Sequence, residues 1–255
     1  MFLAIKEMKF AKLRYSLIIG IMFLISFVVF LLSGLANGLA TEFSEVIDRW
    51  DAGRVVISEE SNGVLAASQL TIDDLSEVKT SEKAPLALYS GSVEIAGEKE
   101  NLSFFGTQPE AFFLPELTEG KSFNEKNEVI ISQALADAGL AIGDTITIGS
   151  QGVEVIVTGI FPKTSYVVTP VMYGSIEAVV EKKFGSDFLA AQTNYPMNAI
   201  LTEETDPIIE NKAFQSLSTE AFIAQLPGYA EQNLTLNAMI YFLFVIAAAV
   251  IGILM

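Results

Sequence analysis

The hydrophobic positions of this chain gather into two long apolar runs that bracket a stretch of mixed pattern. No charged residue occurs in the 27 residues from Tyr15 to Thr41 or in the 24 from Gln232 to Met255. About 20 apolar residues suffice for a helix to cross the hydrocarbon of a bilayer. Each run therefore predicts a transmembrane helix, over 15–41 and 234–255. A cleaved secretory signal is the weaker reading of the first run. Its apolar part, 17–32, exceeds a typical signal core, and Ala36-Asn37-Gly38 matches a small-x-small cleavage site poorly.

Between the runs the period changes. Phe43, Val46, Ile47 and Trp50 fall at i, i+3, i+4 and i+7, so the first helix is expected to continue past the lipid as a stalk to Trp50. Alternating or β-branched stretches predict strands over 54–58, 87–89, 92–96, 102–105, 128–132, 145–148, 153–160 and 167–172. Helices are expected over 71–78, 132–138, 175–184, 207–217 and 218–224. Many strands among few long helices indicate an α+β domain spanning 42–233. Residues 2–14 predict a short amphipathic helix on the inner membrane surface, with Lys6, Lys9 and Lys12 on one arc.

Charge orients this arrangement. Lys6, Lys9, Lys12 and Arg14 precede the first run, whereas Glu42, Glu45 and Asp48 follow it, which places the N-terminus in the cytoplasm and 42–233 outside. Of 15 Lys+Arg and 31 Asp+Glu, those four bases and Glu7 precede position 41; the remainder comprises 11 bases and 30 acids, net −19. Such a surface repels nucleic acid and anionic lipid. The chain has no Cys and no His, so thiol chemistry, disulfides, zinc fingers and histidine catalysis are excluded. The sequence stops inside an apolar run with no basic anchor, which we read as the N-terminal part of a longer protein.

Catalytic patterns are not found. Gly120-Lys121-Ser122 matches the end of a phosphate-binding loop, but Pro115 stands where its first glycine belongs. No metal cluster or nucleophile–base pair emerges, so the chain reads as a non-enzyme without a permanently bound cofactor. Gly34 and Gly38 form a small-xxx-small pair that either admits a neighbouring helix or loosens the helix as it leaves the lipid.

The order of basic surface helix, span, large outside α+β domain and second span resembles the permease subunits of MacB/FtsX-like ABC transporters. Residues 128–136 (EVIISQALA), 143–148 (GDTITI) and 153–160 (VEVIVTGI) look like that class's MacB-like periplasmic core domain. Residues 1–15 (MFLAIKEMKFAKLRY) and 226–240 (LPGYAEQNLTLNAMI) resemble its HrtB/DevC branch, whose Gram-positive members export haem. The resemblance implies a multi-pass bacterial plasma-membrane protein that works as a homodimer. A separate cytoplasmic ATPase would drive it, with Lys6, Lys9, Lys12 and Arg14 as inner-surface or ATPase contacts. It implies haem as a transported substrate. A lipoprotein, peptide or drug cargo, or an FtsX-like role in cell-wall signalling, stands as the alternative.

Haem iron is held by His, Cys, Met or Tyr; this chain offers only the last two, with carboxylates. Near the outer ends of the spans lie Tyr229, Glu231 and Met239 on one side and Glu45 and Phe43 on the other. Tyr166 joins them if the domain folds down over the membrane. Each has a plainer reading: Tyr229 as an interfacial anchor, Glu231 and Glu45 as solvated helix ends, Met239 as helix packing.

Overall fold

The computed structural model describes residues 12–149 and 152–254. The surface helix expected over 2–14 lies, up to residue 11, outside the described residues, and Lys6 and Lys9 with it. Two compact units emerge: Glu42–Pro227, and Met1–Thr41 with Gly228–Met255.

In the second of these, helix α1 (Lys12–Asp48) carries the first apolar run. Its stretch Tyr15–Asp48 has a mean hydropathy of 2.8 and leaves Leu17, Phe23, Phe27 and Phe30 exposed, as a lipid-facing helix does. Among the described residues it is the one helix long and apolar enough to cross a membrane. The second run forms a helix over Tyr229–Leu254, whose apolar part, Leu234–Ala249, is shorter. An apolar crevice of about 220 Å³, lined by Ile21, Ile25, Val29, Phe244 and Ala247 among others, runs between the two helices.

Among the described residues, the unit Glu42–Pro227 is built on nine strands of four residues or more. They are β1 (Arg54–Ser58), β2 (Lys83–Ile95), β3 (Glu98–Thr107), β4 (Glu128–Ser132), β5 (Thr145–Ile148), β6 (Val153–Phe161), β7 (Thr169–Ser175), β8 (Ala199–Thr202) and β9 (Phe214–Leu217). β9, β1, β8 and the first residues of β2 form an antiparallel sheet. The rest of β2 enters a second ladder that closes on itself. It pairs with β3, β3 runs parallel to β7, and β7 is antiparallel to β4. β4 runs parallel to β6, β6 pairs with β5, and β5 returns to β2 at Val93↔Ile148. Closure leaves this small barrel without a free edge.

Alternation along the strands separates two cores. Met172 lies opposite Phe104 and Ile131; with Val93, Leu102, Val129, Ile146, Val155 and Val157 they form one apolar cluster. The next residues along, Tyr173 and Phe105, point the other way into an aromatic cluster. A helix over Ile176–Phe184, N-capped by Ser175, adds Ile176, Val179 and Val180 to the first core. It approaches β3 over Gly106, where a Cβ would lie 2.7 Å from Val179 Cγ2. The β2–β3 turn is Ala96-Gly97, both at positive φ, the backbone of a two-residue hairpin.

Four expectations are corrected. Residues 71–78 form a shorter 3₁₀ helix, Ile72–Glu77, held by a capping box between Thr71 and Asp74. Residues 207–217 are no helix: Ile208–Ile209 and β9 are extended, because β9 completes the sheet beside β1. The strand expected over 167–172 begins at Thr169, since Val167 and Val168 form a turn. The strands expected over 87–89 and 92–96 are one, continuous through Gly91.

Candidate functional site

Helix α1 does not end at the lipid. Its residues from Glu42 onward belong to the outer unit, where Val46, Ile47 and the following Trp50 have no solvent exposure. Trp50 Nε1 donates a hydrogen bond to Tyr173 Oη at 3.0 Å. Phe105 and Phe113 meet the indole edge-on, with ring centroids 5.7 and 6.2 Å away. Phe161 closes on Tyr173 at 5.6 Å. Burial pushes the Tyr173 phenol well above the ordinary tyrosine range, an effect opposed only in part by the Trp50 hydrogen bond, so Tyr173 stays neutral. Displacing α1 along its axis would break this packing or carry the domain with it.

A second clasp holds the same helix. β7 is preceded by a tight hairpin in which Tyr166 pairs with Thr169 and the tip residues Val167 and Val168 sit at φ 48° and 67°. The amide of Val167 donates to the carbonyl of Phe43 at 3.1 Å, and that of Val168 to Glu42 at 3.3 Å. β-branched residues are rarely found in this left-handed region. Replacing Val167-Val168 by Asn-Gly, the sequence this turn prefers, keeps both donors and removes the strain. The expected result is a gain of about 1–2 kcal/mol, read as a rise in melting temperature; an unchanged or lower value would show that the valine side chains hold the hairpin.

Beside this junction runs an open groove of about 950 Å³, bounded by the β2–β3 hairpin, residues 64–66, the Tyr166 hairpin and Pro227. Its lining mixes Val64, Leu88 and Leu102 with Tyr89, Ser90 and Ser103. One wall is fixed by Asn198, whose amide joins Leu88 of β2 to the carbonyls of Leu65 and Ser68.

The residues singled out from the sequence land in different places. Phe43 and the Tyr166 hairpin do meet, through the Val167 amide. The Tyr166 ring, however, is buried edge-on against Phe105 at 5.3 Å, and burial raises its phenol far above the ordinary range, so it is packed as a core aromatic rather than presented as a free ligand. Glu45 is ion-paired with Arg49 at 2.8 Å. Tyr229, Glu231 and Met239 lie on the second apolar helix. At about 100° per residue, Tyr229 and Glu231 stand about 160° apart around the helix, with Met239 between them. A Cβ added at Gly34 or Gly38 would meet nothing within 4 Å, leaving that face of α1 open. Lys12 opens the helix, and Arg14 lies in its first turn. Of the Gly120-Lys121-Ser122 segment, Gly120 ends a two-residue strand, Glu119–Gly120, beside β6, and Lys121 is paired to Glu128 at 3.2 Å. Sequence reasoning missed Tyr173, Asn198 and Lys182; Lys182 is 4% exposed on the Ile176–Phe184 helix. Only Trp50, at the end of an amphipathic pattern, carried a signal.

Comparisons with known proteins agree with this architecture. Residues 16–201 match the family model of the MacB-like periplasmic core domain. A protein described as a hemin transport system permease, HrtB, from Staphylococcus haemolyticus is 27% identical over 98% of this chain and 70% of its own length. Its counterpart in Staphylococcus epidermidis is 26% identical over 98% and 69%. An ABC transporter permease of Mycobacterium tuberculosis is 26% identical over 65% of this chain and 47% of that protein. Among solved structures, the periplasmic region of MacB from Actinobacillus actinomycetemcomitans superposes with a TM-score of 0.48 at 12% identity, covering 67% of this chain and 91% of that one. The extracellular domain of the transporter YknZ from Gram-positive bacteria gives 0.44 at 15%, covering 64% and 98%. The chain belongs to the MacB-like periplasmic core domain family and is an ABC transporter permease of the HrtB/MacB-like kind.

Proposed function

We propose that this permease expels haem from the membrane, driven by a separate cytoplasmic ATPase subunit, and that it works as a homodimer. The observation that carries the reading is one continuous helix, Lys12–Asp48, whose outer end is locked into the domain by Val46, Ile47 and Trp50. A shift of the inner end, where Lys12 and Arg14 lie, then moves the domain without any catalytic group in this chain. The likeness to hemin permeases along 98% of the sequence supports haem as cargo.

In this reading the second apolar helix also spans the bilayer, residues 42–233 face outward, and the open Gly34/Gly38 face admits a neighbouring helix. Tyr229, at the start of the second helix, is the first choice of haem ligand, with Glu231, Met239, Glu45 and Phe43 as the further residues to test. Cells lacking the full-length protein are expected to stop growing in haemin concentrations that the parent tolerates. Restoration by the wild type but not by Tyr229→Ala would support the ligand assignment. Unimpaired growth of the deletion strain in haemin would redirect the assignment to a lipoprotein, peptide or drug, or to cell-wall signalling.

A further inference from the structure

Lys182 is nine-tenths buried, yet among the described residues its ammonium has neither a hydrogen-bond acceptor nor a carboxylate partner. Its neighbours do not behave this way: Lys126 pairs with Glu181, Lys121 with Glu128, and Lys183 donates to the carbonyl of Leu88. In a domain with 30 acids, a side chain this buried whose ammonium meets none of them needs an account. The Nζ lies 5.6 Å from the centroid of the Tyr89 ring. It is not sealed off, because among the described residues no fully buried side-chain nitrogen lacks a partner. Desolvation holds the ammonium below the ordinary lysine range.

The group opens into a cavity of about 480 Å³ lined by Ala66, Leu88, Tyr89, Ser90, Lys182 and Lys183, with Phe184 at the rim. Four of these residues, Ala66, Leu88, Tyr89 and Ser90, also line the larger groove, so the two spaces adjoin. Gly149, at φ +57°, keeps the space beside the cation clear: a Cβ there would lie 2.8 Å from Lys182 Nζ and 2.7 Å from Tyr89 Oη. An amphipathic groove thus ends at two lysines and a phenol, inside a domain whose net charge of −19 repels multiply charged anions.

We propose that Lys182, with Lys183 and the Tyr89 hydroxyl, binds the carboxylate of an amphipathic molecule lying in this groove. The site stands apart from the haem reading, since any amphipath with a single carboxylate near an apolar body meets its terms. The apolar part would rest on Val64, Ala66 and Leu88, and the charge-assisted hydrogen bond from Lys182 would supply the selectivity.

Acylation of individual lysines in the full-length protein, followed by mass spectrometry with acetic anhydride as reagent, tests this directly. Octanoate is expected to slow modification of Lys182 while leaving the exposed Lys212 unaffected, and methyl octanoate is expected to do nothing. Calorimetric affinity for octanoate should fall about tenfold in Lys182→Met, the loss of one charge-assisted hydrogen bond. Equal protection by the ester, no protection by octanoate, or a Lys182 that never reacts would overturn the proposal. The footprint on the wild type decides the matter even if the variant misfolds. Unimpaired growth in haemin would leave it standing.

Discussion

Trp50→Ala is expected to lower the melting temperature of the protein by about 10 °C and to abolish export while ATP hydrolysis by the partner continues. The indole is fully buried, edge-packed by Phe105 and Phe113, and bonded to Tyr173 Oη. Truncating such a side chain costs about 3–5 kcal/mol, and a domain of this size shifts by about 2–4 °C for each kcal/mol. Trp50→Phe keeps most of the ring and loses only the hydrogen bond, so it should cost about 1 kcal/mol and preserve export. Thermal melting together with growth in haemin checks both. A Trp50→Ala protein that melts and exports like the wild type would show that the helix end is not fastened to the domain.

Asn198→Leu should be the next most damaging change. The side chain is 3% exposed and satisfies three backbone groups: Oδ1 accepts from the Leu88 amide at 2.7 Å, and Nδ2 donates to Leu65 and Ser68 carbonyls at 3.1 Å. Leucine fills the volume and leaves the Leu88 amide and the Ser68 carbonyl without a partner, while the Leu65 carbonyl keeps the Ser68 amide. At about 1–3 kcal/mol for each orphaned group, the expected loss is about 3 kcal/mol or more even after partial relaxation. The effect should be local as well as global, because Leu65 and Ser68 flank Ala66, which lines the groove. Amide hydrogen exchange at Leu88 and Ser68 is expected to quicken in the variant. Unchanged exchange would mean that the wall is held by other contacts.

How far the sequence anticipated this structure depended on the range of the interactions involved. Strands Arg54–Ser58, Glu128–Ser132 and Thr145–Ile148 were legible to the residue, because short β-branched runs are bounded by turn residues. The helix at Ile176–Phe184 was expected one residue longer, over 175–184; Ser175 caps it instead of joining it. Closure of the barrel was not, since the parallel pairs β3–β7 and β4–β6 join segments distant in sequence. Residues 214–217 carry a pattern that suits either helix or strand, and only the open edge of β1 decides it. Val167-Val168 was misread because β-branched pairs mark strands almost everywhere except in a strained tip.

The site divides in the same way. The amphipathic continuation to Trp50 was visible as spacing, but Tyr173, which receives its hydrogen bond, is separated from it by 123 residues. Tyr166 was a candidate on the condition that the domain folds down over the membrane, whereas its ring is packed on Phe105. Lys182 and Lys183 look in sequence like ordinary bases complementing a helix C-terminus; burial of one of them is a tertiary fact.

ATP-driven transfer of haem out of the bilayer tests the account most directly. The full-length permease and its ATPase would be reconstituted in haem-loaded liposomes, with apomyoglobin in the outer solution as a scavenger followed by its Soret band. The account predicts that the scavenger fills faster with ATP than with a non-hydrolysable analogue, and that Trp50→Ala removes the difference. Equal filling with and without ATP in the wild-type complex would contradict it.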